Sequence, residues 1–162
     1  PTISRRQRQM CIRDRFDALV LNAGLQYAGH DSPRWSAQGI ELTFAVNHLA
    51  HQLLAEELKE QTRALVITAS EVHNPTTGGG RVGKPADLGM LKGLRRGPGA
   101  PMVDGESPFN ADKAYKDSKL CNLLMALQIN RQRPELPVVA WSPGLVIPRT
   151  TCLLYTSDAA DD

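Results

Sequence analysis

Two short, nearly unbroken apolar runs, Phe16 to Asn22 (FDALVLN) and Arg63 to Ser70 (RALVITAS), flank a long segment of helical period, and that arrangement admits few folds. A strand covered on both faces carries apolar side chains without alternation, as the strands of a parallel sheet do. After a polar turn around His30 to Pro33, Ser36 is a candidate N-cap for a helix running to about Glu60. Ile40, Phe44, Leu49, Leu53, Leu54 and Leu58 supply its predicted inward face, and Glu56, Glu57, Lys59 and Glu60 its solvated end. Asp112 to about Arg133 reads as a second helix with Leu120, Leu123, Leu124 and Leu127 inward, stopped by Pro134. Val138 to Trp141 is a third short strand, closed by Ser142-Pro143-Gly144. Helices between buried strands imply parallel pairing through right-handed crossovers. The predicted fold is α/β, a partial doubly wound parallel sheet. Glu71 to Asn110, rich in Gly and Pro, is too long for a routine connection, which marks it as functional.

The two ends do not fit this pattern. Pro1 to Arg15 and Thr151 to Asp162 lack any apolar period and resemble translated sequencing-adapter read-through, so they are expected to be non-native scars. A basic arm and an acidic tail are the functional alternatives. The chain has 19 basic and 17 acidic residues; the ends hold five arginines and four aspartates, which leaves 14 and 13 in residues 16–150. Near-neutral balance argues against a phosphate-backbone partner, so no nucleic acid is expected. Cys11 and Cys152 fall in the ends, leaving Cys121 alone, with no disulfide framework and a reducing compartment expected.

Chemistry concentrates in Asn110-Ala111-Asp112-Lys113-Ala114-Tyr115-Lys116-Asp117-Ser118-Lys119-Leu120-Cys121-Asn122. Tyr115 and Lys119, four apart, share one face of a helix, where an ammonium is expected to favour the phenolate and lower the phenol's pKa. Ligands of open parallel sheets bind beyond the carboxyl ends of the strands. Polar residues fall at those ends: Asn22-Ala23-Gly24 after the first strand, Ser70 after the second, Pro143-Gly144 after the third.

Together with Tyr115 and Lys119, this set and its order resemble the short-chain dehydrogenase/reductase family, over nearly all of residues 16–150. Tyr115 lies 45 positions after Ser70, a long interval for that family. Within it, Lys84 to Leu94 and Met102-Val103-Asp104-Gly105, with the run Lys113 to Asn122, resemble the light-dependent protochlorophyllide oxidoreductase branch. The resemblance implies a Rossmann-type domain over 16–150 lacking its Gly-rich N-terminal half, and an NADPH-dependent oxidoreductase. Tyr115 would be the proton donor, Lys119 would hold the nicotinamide ribose, Asn47 would support the lysine through a water, and Ser70 would orient substrate. Asn22, Ala23 and Gly24 would border the cofactor's adenosine half, Pro143, Gly144 and Val146 its nicotinamide, and Cys121 would touch substrate. The substrate would be a tetrapyrrole pigment, with a plastid or phototroph cytoplasm as location; homo-oligomerisation is left open. Without a Gly-rich phosphate turn, the polypeptide as given is expected to bind NADPH poorly and to be inactive.

Bland readings stand beside these. Asn47 could be a backbone-satisfied helix residue, Ser70 a strand cap, and Cys121 a small core residue. The sequence after Pro143-Gly144 departs from the pigment-reductase pattern, so a dark carbonyl reductase and a noncatalytic scaffold remain alternatives. Gly78 to Lys84 matches G-x-x-x-x-G-K, but Pro85 stands where a Ser or Thr would bind magnesium, and a flexible loop is expected. His48, His51 and His73 lack metal-site spacing, and no metal is expected.

Overall fold

The computed structural model describes residues 15–144; the terminal segments, apart from Arg15, and Val146 lie outside the described residues. Strands β1 (Leu19–Leu21), β2 (Leu65–Thr68) and β3 (Val138–Trp141) form one parallel sheet in the order β1-β2-β3. Leu21 stands opposite Ile67, and Ile67 opposite Ala140. Helix α1 (residues 42–58) joins β1 to β2, and helix α4 (Ala111–Gln132) joins β2 to β3.

Both crossovers step across the sheet in the same direction, and right-handed connections that do so lie on the same face. Ala55 of α1 and Met125, Ala126 and Ile129 of α4 accordingly pack with Leu21, Leu65, Ile67 and Leu136 in one core. Each large aliphatic side chain sealed there contributes about 1.5–3 kcal/mol. The other face has no cover among the described residues: Val20, Val139 and Trp141 are 57, 52 and 45% exposed. The expectation of strands buried on both faces is thus corrected to burial on one. Unbroken apolar character specifies what a strand tolerates, whereas the direction of the crossovers specifies which face these two helices cover.

Helix α1 begins later than Ser36. The Ser36 hydroxyl accepts from the amides of Gln38 and Ile40 in a turn that Gly39 closes at φ 72°. The buried Glu41 carboxylate is the actual cap, accepting from the amides of Thr43 and Phe44. α1 then runs as one α-turn (Leu42–Phe44), a π-turn (Ala45–Leu49) and an α-helix (Ala50–Leu58). The π-turn inserts an extra residue into the helical ladder and shifts the faces that follow it. Leu53 and Leu54 are exposed, contrary to expectation, while Asn47, His48, His51 and Ala55 are buried. In α4, too, Leu124 and Leu127 lie outward, and Cys121, Asn122, Met125, Ala126 and Ile129 form the inward face. Asn110 caps α4 through the amide of Lys113, and the helix ends two residues before Pro134.

The long segment between β2 and α4 is ordered by short turns, including α2 (Gly78–Arg81) and α3 (Lys92–Arg96), and wraps the first half of α4. Buried charges of α4 tether it. The Lys116 ammonium donates to the carbonyls of Gly80 (3.0 Å), Val82 and Lys84 (3.1 Å). The Gly78–Lys84 loop therefore turns carbonyls inward around a cation, whereas a phosphate loop turns amides toward an anion. It is pinned, which corrects the expectation of a flexible loop. Lys113 donates to the Asp87 carbonyl (2.6 Å) and to Asp117 (2.7 Å), and pairs with Asp104 at 2.9 Å. Gly80 leaves no room for a side chain, since a Cβ there would lie 1.8 Å from the Asn74 carbonyl oxygen.

Candidate active site

The candidate site lies where β1 and β2 end and the first turns of α4 pass. Residues 115, 119 and 122 repeat at helical spacing, so Tyr115, Lys119 and Asn122 form one stripe. Lys119, 2% exposed, donates to the Thr68 carbonyl at 3.1 Å, which fixes its ammonium at the last residue of β2. The same ammonium stands 5.5 Å from the centre of the Tyr115 ring. Ser70 sits two residues beyond β2, its hydroxyl capping the turn Glu71–His73 through the Val72 amide and reaching the Tyr115 side chain.

The electrostatics differ from the sequence expectation at one point. Burial raises the Tyr115 phenol above its ordinary pKa, and the Ser70 hydroxyl pulls it back only in part. Lys119, which was expected to lower it, has its ammonium directed to the Thr68 carbonyl, and burial lowers its own pKa.

The turn after β1 closes against this stripe. A Cβ on Gly24 would lie 3.5 Å from the Lys119 nitrogen and 3.6 Å from the Asn47 side-chain oxygen, so Gly24 stands between them. Asn47 is fully buried: its oxygen accepts from the Leu25 amide at 2.8 Å, and its amide donates to the Leu25 carbonyl at 2.9 Å and the Ser118 hydroxyl at 3.2 Å. The Asn22 oxygen accepts from the Thr68 hydroxyl at 2.8 Å, joining the ends of β1 and β2. Thr68 also accepts from the Trp141 indole at 3.1 Å, and Ser142 accepts from the Glu71 amide at 3.1 Å, which ties in the end of β3. Pro143 and Gly144 follow on the exposed surface, with Gly144 at φ 71° and no atom of the described residues within 4 Å of a would-be Cβ. Ala23 is exposed beside Asn22 and Gly24.

Thus Asn22, Ala23, Gly24, Asn47, Ser70, Tyr115 and Lys119 are brought together, with Pro143 and Gly144 at the adjoining strand end. Cys121 is not among them. It packs with Phe44 and Val103 beneath the long segment, and burial, aided by Asp117, pushes its thiol up to about 12. His48 bonds to Asn122, and His51 is buried with both ring nitrogens unpartnered among the described residues. Asn122, wholly buried and bonded to three long-range partners, was missed by sequence reasoning; its signal is a lone amide in a leucine-rich helical run, three residues past Lys119.

No family model matches the sequence. The chain is 38% identical over 145 residues to protochlorophyllide reductase of Avena sativa, a match covering 81% of the chain and 46% of the relative. It is 40% identical over 131 residues to the chloroplastic protochlorophyllide reductase A of Oryza sativa subsp. japonica, covering 74% of the chain and 34% of the relative. The chain therefore spans less than half the length of these relatives. Among solved structures, an uncharacterized protein from Mycobacterium paratuberculosis superposes with a TM-score of 0.62 at 22% identity, over 90% of this chain and 48% of that one. The 3-alpha-hydroxysteroid dehydrogenase from Pseudomonas sp. B-0831, solved with NADH, superposes with a TM-score of 0.58 at 20% identity, over 93% and 56%. These two likenesses establish a shared fold. With its parallel sheet, its strand-end turns and its curated relatives taken together, the chain has the fold of the short-chain dehydrogenases and is similar in sequence to protochlorophyllide reductases.

Proposed function

We propose that these residues form the proton-donating half of an NADPH-dependent reductase acting on protochlorophyllide in a light-dependent step. The observation that carries the reading is the meeting of Tyr115, Ser70 and Lys119 beside Gly24 at the ends of two parallel strands. The residues present suit a nicotinamide cofactor. Lys119 makes one of its three possible donations to Thr68, leaving two for a ribose, and Gly24 and Gly144 keep backbone free of side chains where the cofactor would approach. Asn22, Ala23, Gly24, Tyr115, Lys119, Pro143 and Gly144 would hold it, with Val146 beyond the described residues. When bound, such a cofactor supplies a hydride.

The chain's own task is the proton. Tyr115 is held neutral at physiological pH by burial, so it carries a proton to give. The phenolate left behind would be stabilised by the Lys119 ammonium and the Ser70 hydroxyl, groups already in place before charge develops. Asn47 would keep Lys119 aligned through the Gly24 turn. Cys121, packed with Phe44 and Val103 beneath the long segment, is given no role in this reading. The chloroplastic names of the relatives favour a plastid location, and among the described residues no helix is long and apolar enough to cross a membrane.

The test grafts residues 16–144 into the matching region of the Avena relative, which supplies the Gly-rich turn these residues lack. Light-dependent loss of protochlorophyllide with NADPH is expected, falling about 10²–10⁴-fold in Tyr115→Phe. An unchanged rate in Tyr115→Phe would overturn the reading, and carbonyl reduction in darkness would favour an ordinary short-chain reductase.

A further inference from the structure

Asn122 occupies the third place in the Tyr115–Lys119 stripe, one turn further along α4, and shares one acceptor with Lys119. Its amide nitrogen donates to the Asn47 carbonyl at 3.0 Å and to the Thr68 carbonyl at 3.3 Å. Thr68 is the carbonyl that also receives Lys119. The Asn122 oxygen lies 3.0 Å from Nδ1 of His48. None of these groups is open to water: Asn122 and Asn47 are 0% exposed, Lys119 2% and His48 9%.

The orientation of the amide follows from its partners. Carbonyl oxygens only accept, so the NH₂ end must face Asn47 and Thr68, and the oxygen must face His48. A flipped amide would set one oxygen against two others inside a dry site. His48 must then donate from Nδ1, which selects one neutral tautomer and leaves Nε2 bare. Burial, which lowers the pKa of His48 against the pull of Asn122, is consistent with a neutral ring.

Two residues of α4 therefore grip the π-turn: Ser118 holds the side chain of Asn47, and Asn122 holds its backbone. At the same time Asn122 joins that turn to the one carbonyl on which Lys119 is anchored. We propose that Asn122, locked by His48 as an Nδ1–H donor, is a positioning residue that holds Lys119 and Asn47 in register with each other. It touches neither the reacting atoms nor the cofactor. Its effect runs through the Thr68 carbonyl and the Asn47 backbone, and for catalysis it rests on the function proposed above.

The test has two arms. In the 162-residue chain, nitrogen NMR of the His48 ring is expected to show the Nδ1–H tautomer, and Asn122→Leu to abolish that preference. A native Nε2–H tautomer would overturn the proposal. In the grafted enzyme, Asn122→Leu is expected to lower kcat roughly tenfold or more while KM for pigment stays within about twofold, because displacement of Lys119 damages alignment and not substrate binding. An active graft whose kcat ignores Asn122→Leu, or which loses only KM, overturns the proposal while the reading of Tyr115 stands. A graft inactive with native Asn122 and Tyr115 overturns the functional reading itself, and the catalytic role of Asn122 with it. If Asn122→Leu does not fold, His48→Leu removes only the lock; a kcat loss of about threefold supports the proposal and an unchanged kcat overturns it.

Discussion

Replacing Lys113 by methionine keeps the aliphatic stem and removes only the ammonium from between two buried carboxylates. Side chains of Lys113, Asp104 and Asp117 are 4, 5 and 0% exposed, so water cannot take its place. Taking one partner from such a group costs about 3–5 kcal/mol, because the charges left behind are uncompensated. Burial already lifts Asp117 to about 6 in spite of Lys113, whereas Asp104, which burial would raise, is held below the carboxylate range by hydrogen bonds from Ser107, Glu106 and Lys113. A carboxyl with a higher pKa folded than unfolded binds its proton more tightly in the fold, so stability falls as pH rises between the two values. For native Asp117 that interval runs from 3.8 to about 6. Without Lys113 the upper limit moves higher, and the depression of Asp104 lessens. The variant should therefore be about 3–5 kcal/mol less stable than the native chain near pH 8, and should regain about 1.4 kcal/mol per pH unit through Asp117 as pH falls toward 5. Lys113→Met combined with Asp117→Asn should recover roughly half of the loss near pH 8. Urea unfolding across that range measures it. A deficit under about 1 kcal/mol, or one equal at both ends of the range, would refute the claim that the ammonium compensates buried charge.

Two further outcomes concern the long segment and the thiol beneath it. Gly80→Ala should cost roughly 1–3 kcal/mol and speed tryptic cleavage after Arg81, since the new Cβ meets the Asn74 carbonyl and loosens the loop around Lys116; cleavage at the native rate counts against that loop being pinned. Cys121, with its thiol pushed up to about 12, should resist a maleimide near pH 8 until urea is added, and prompt labelling of the peptide that holds it, separated from those of Cys11 and Cys152, would show that it is not sealed.

What the sequence made legible was punctuation. β3 spans the four residues read from the run between Pro137 and Ser142, and α4 spans Ala111–Gln132 against a reading of Asp112 to about Arg133, because Asn110 and Pro134 bracket it. Helix faces were less legible. Leucine spacing pointed Leu124 and Leu127 inward, but α4 packs its small residues, Cys121 and Ala126, toward the interior and leaves those leucines outside. The π-turn displaced the face of α1 in the same way, since no residue type announces one. Tyr115, Lys119 and Ser70 were legible as a set because strand ends and helix spacing bring them together. Lys113 and Lys116 were not, because a lysine that donates to carbonyls some 30 residues away leaves no period in the sequence.

The two kinds of residue meet on one helix. Around α4, the stripe of Tyr115, Lys119 and Asn122 faces the strand ends, while Lys113, Lys116 and Asp117 face the segment between β2 and α4. A rigid helix cannot move one stripe and leave the other behind. The tether thus fixes more than a loop: the Asp87 amide bonds Asp117 at 2.8 Å, and Asp117 lies two residues from both Tyr115 and Lys119. Ion pairs usually hold such a surface segment weakly when water competes. Here the tether is buried and directed at backbone, so the segment serves as a fixed wall of the site and the helix is held from both sides, by the sheet through Thr68 and by the wall through Gly80, Val82 and Lys84.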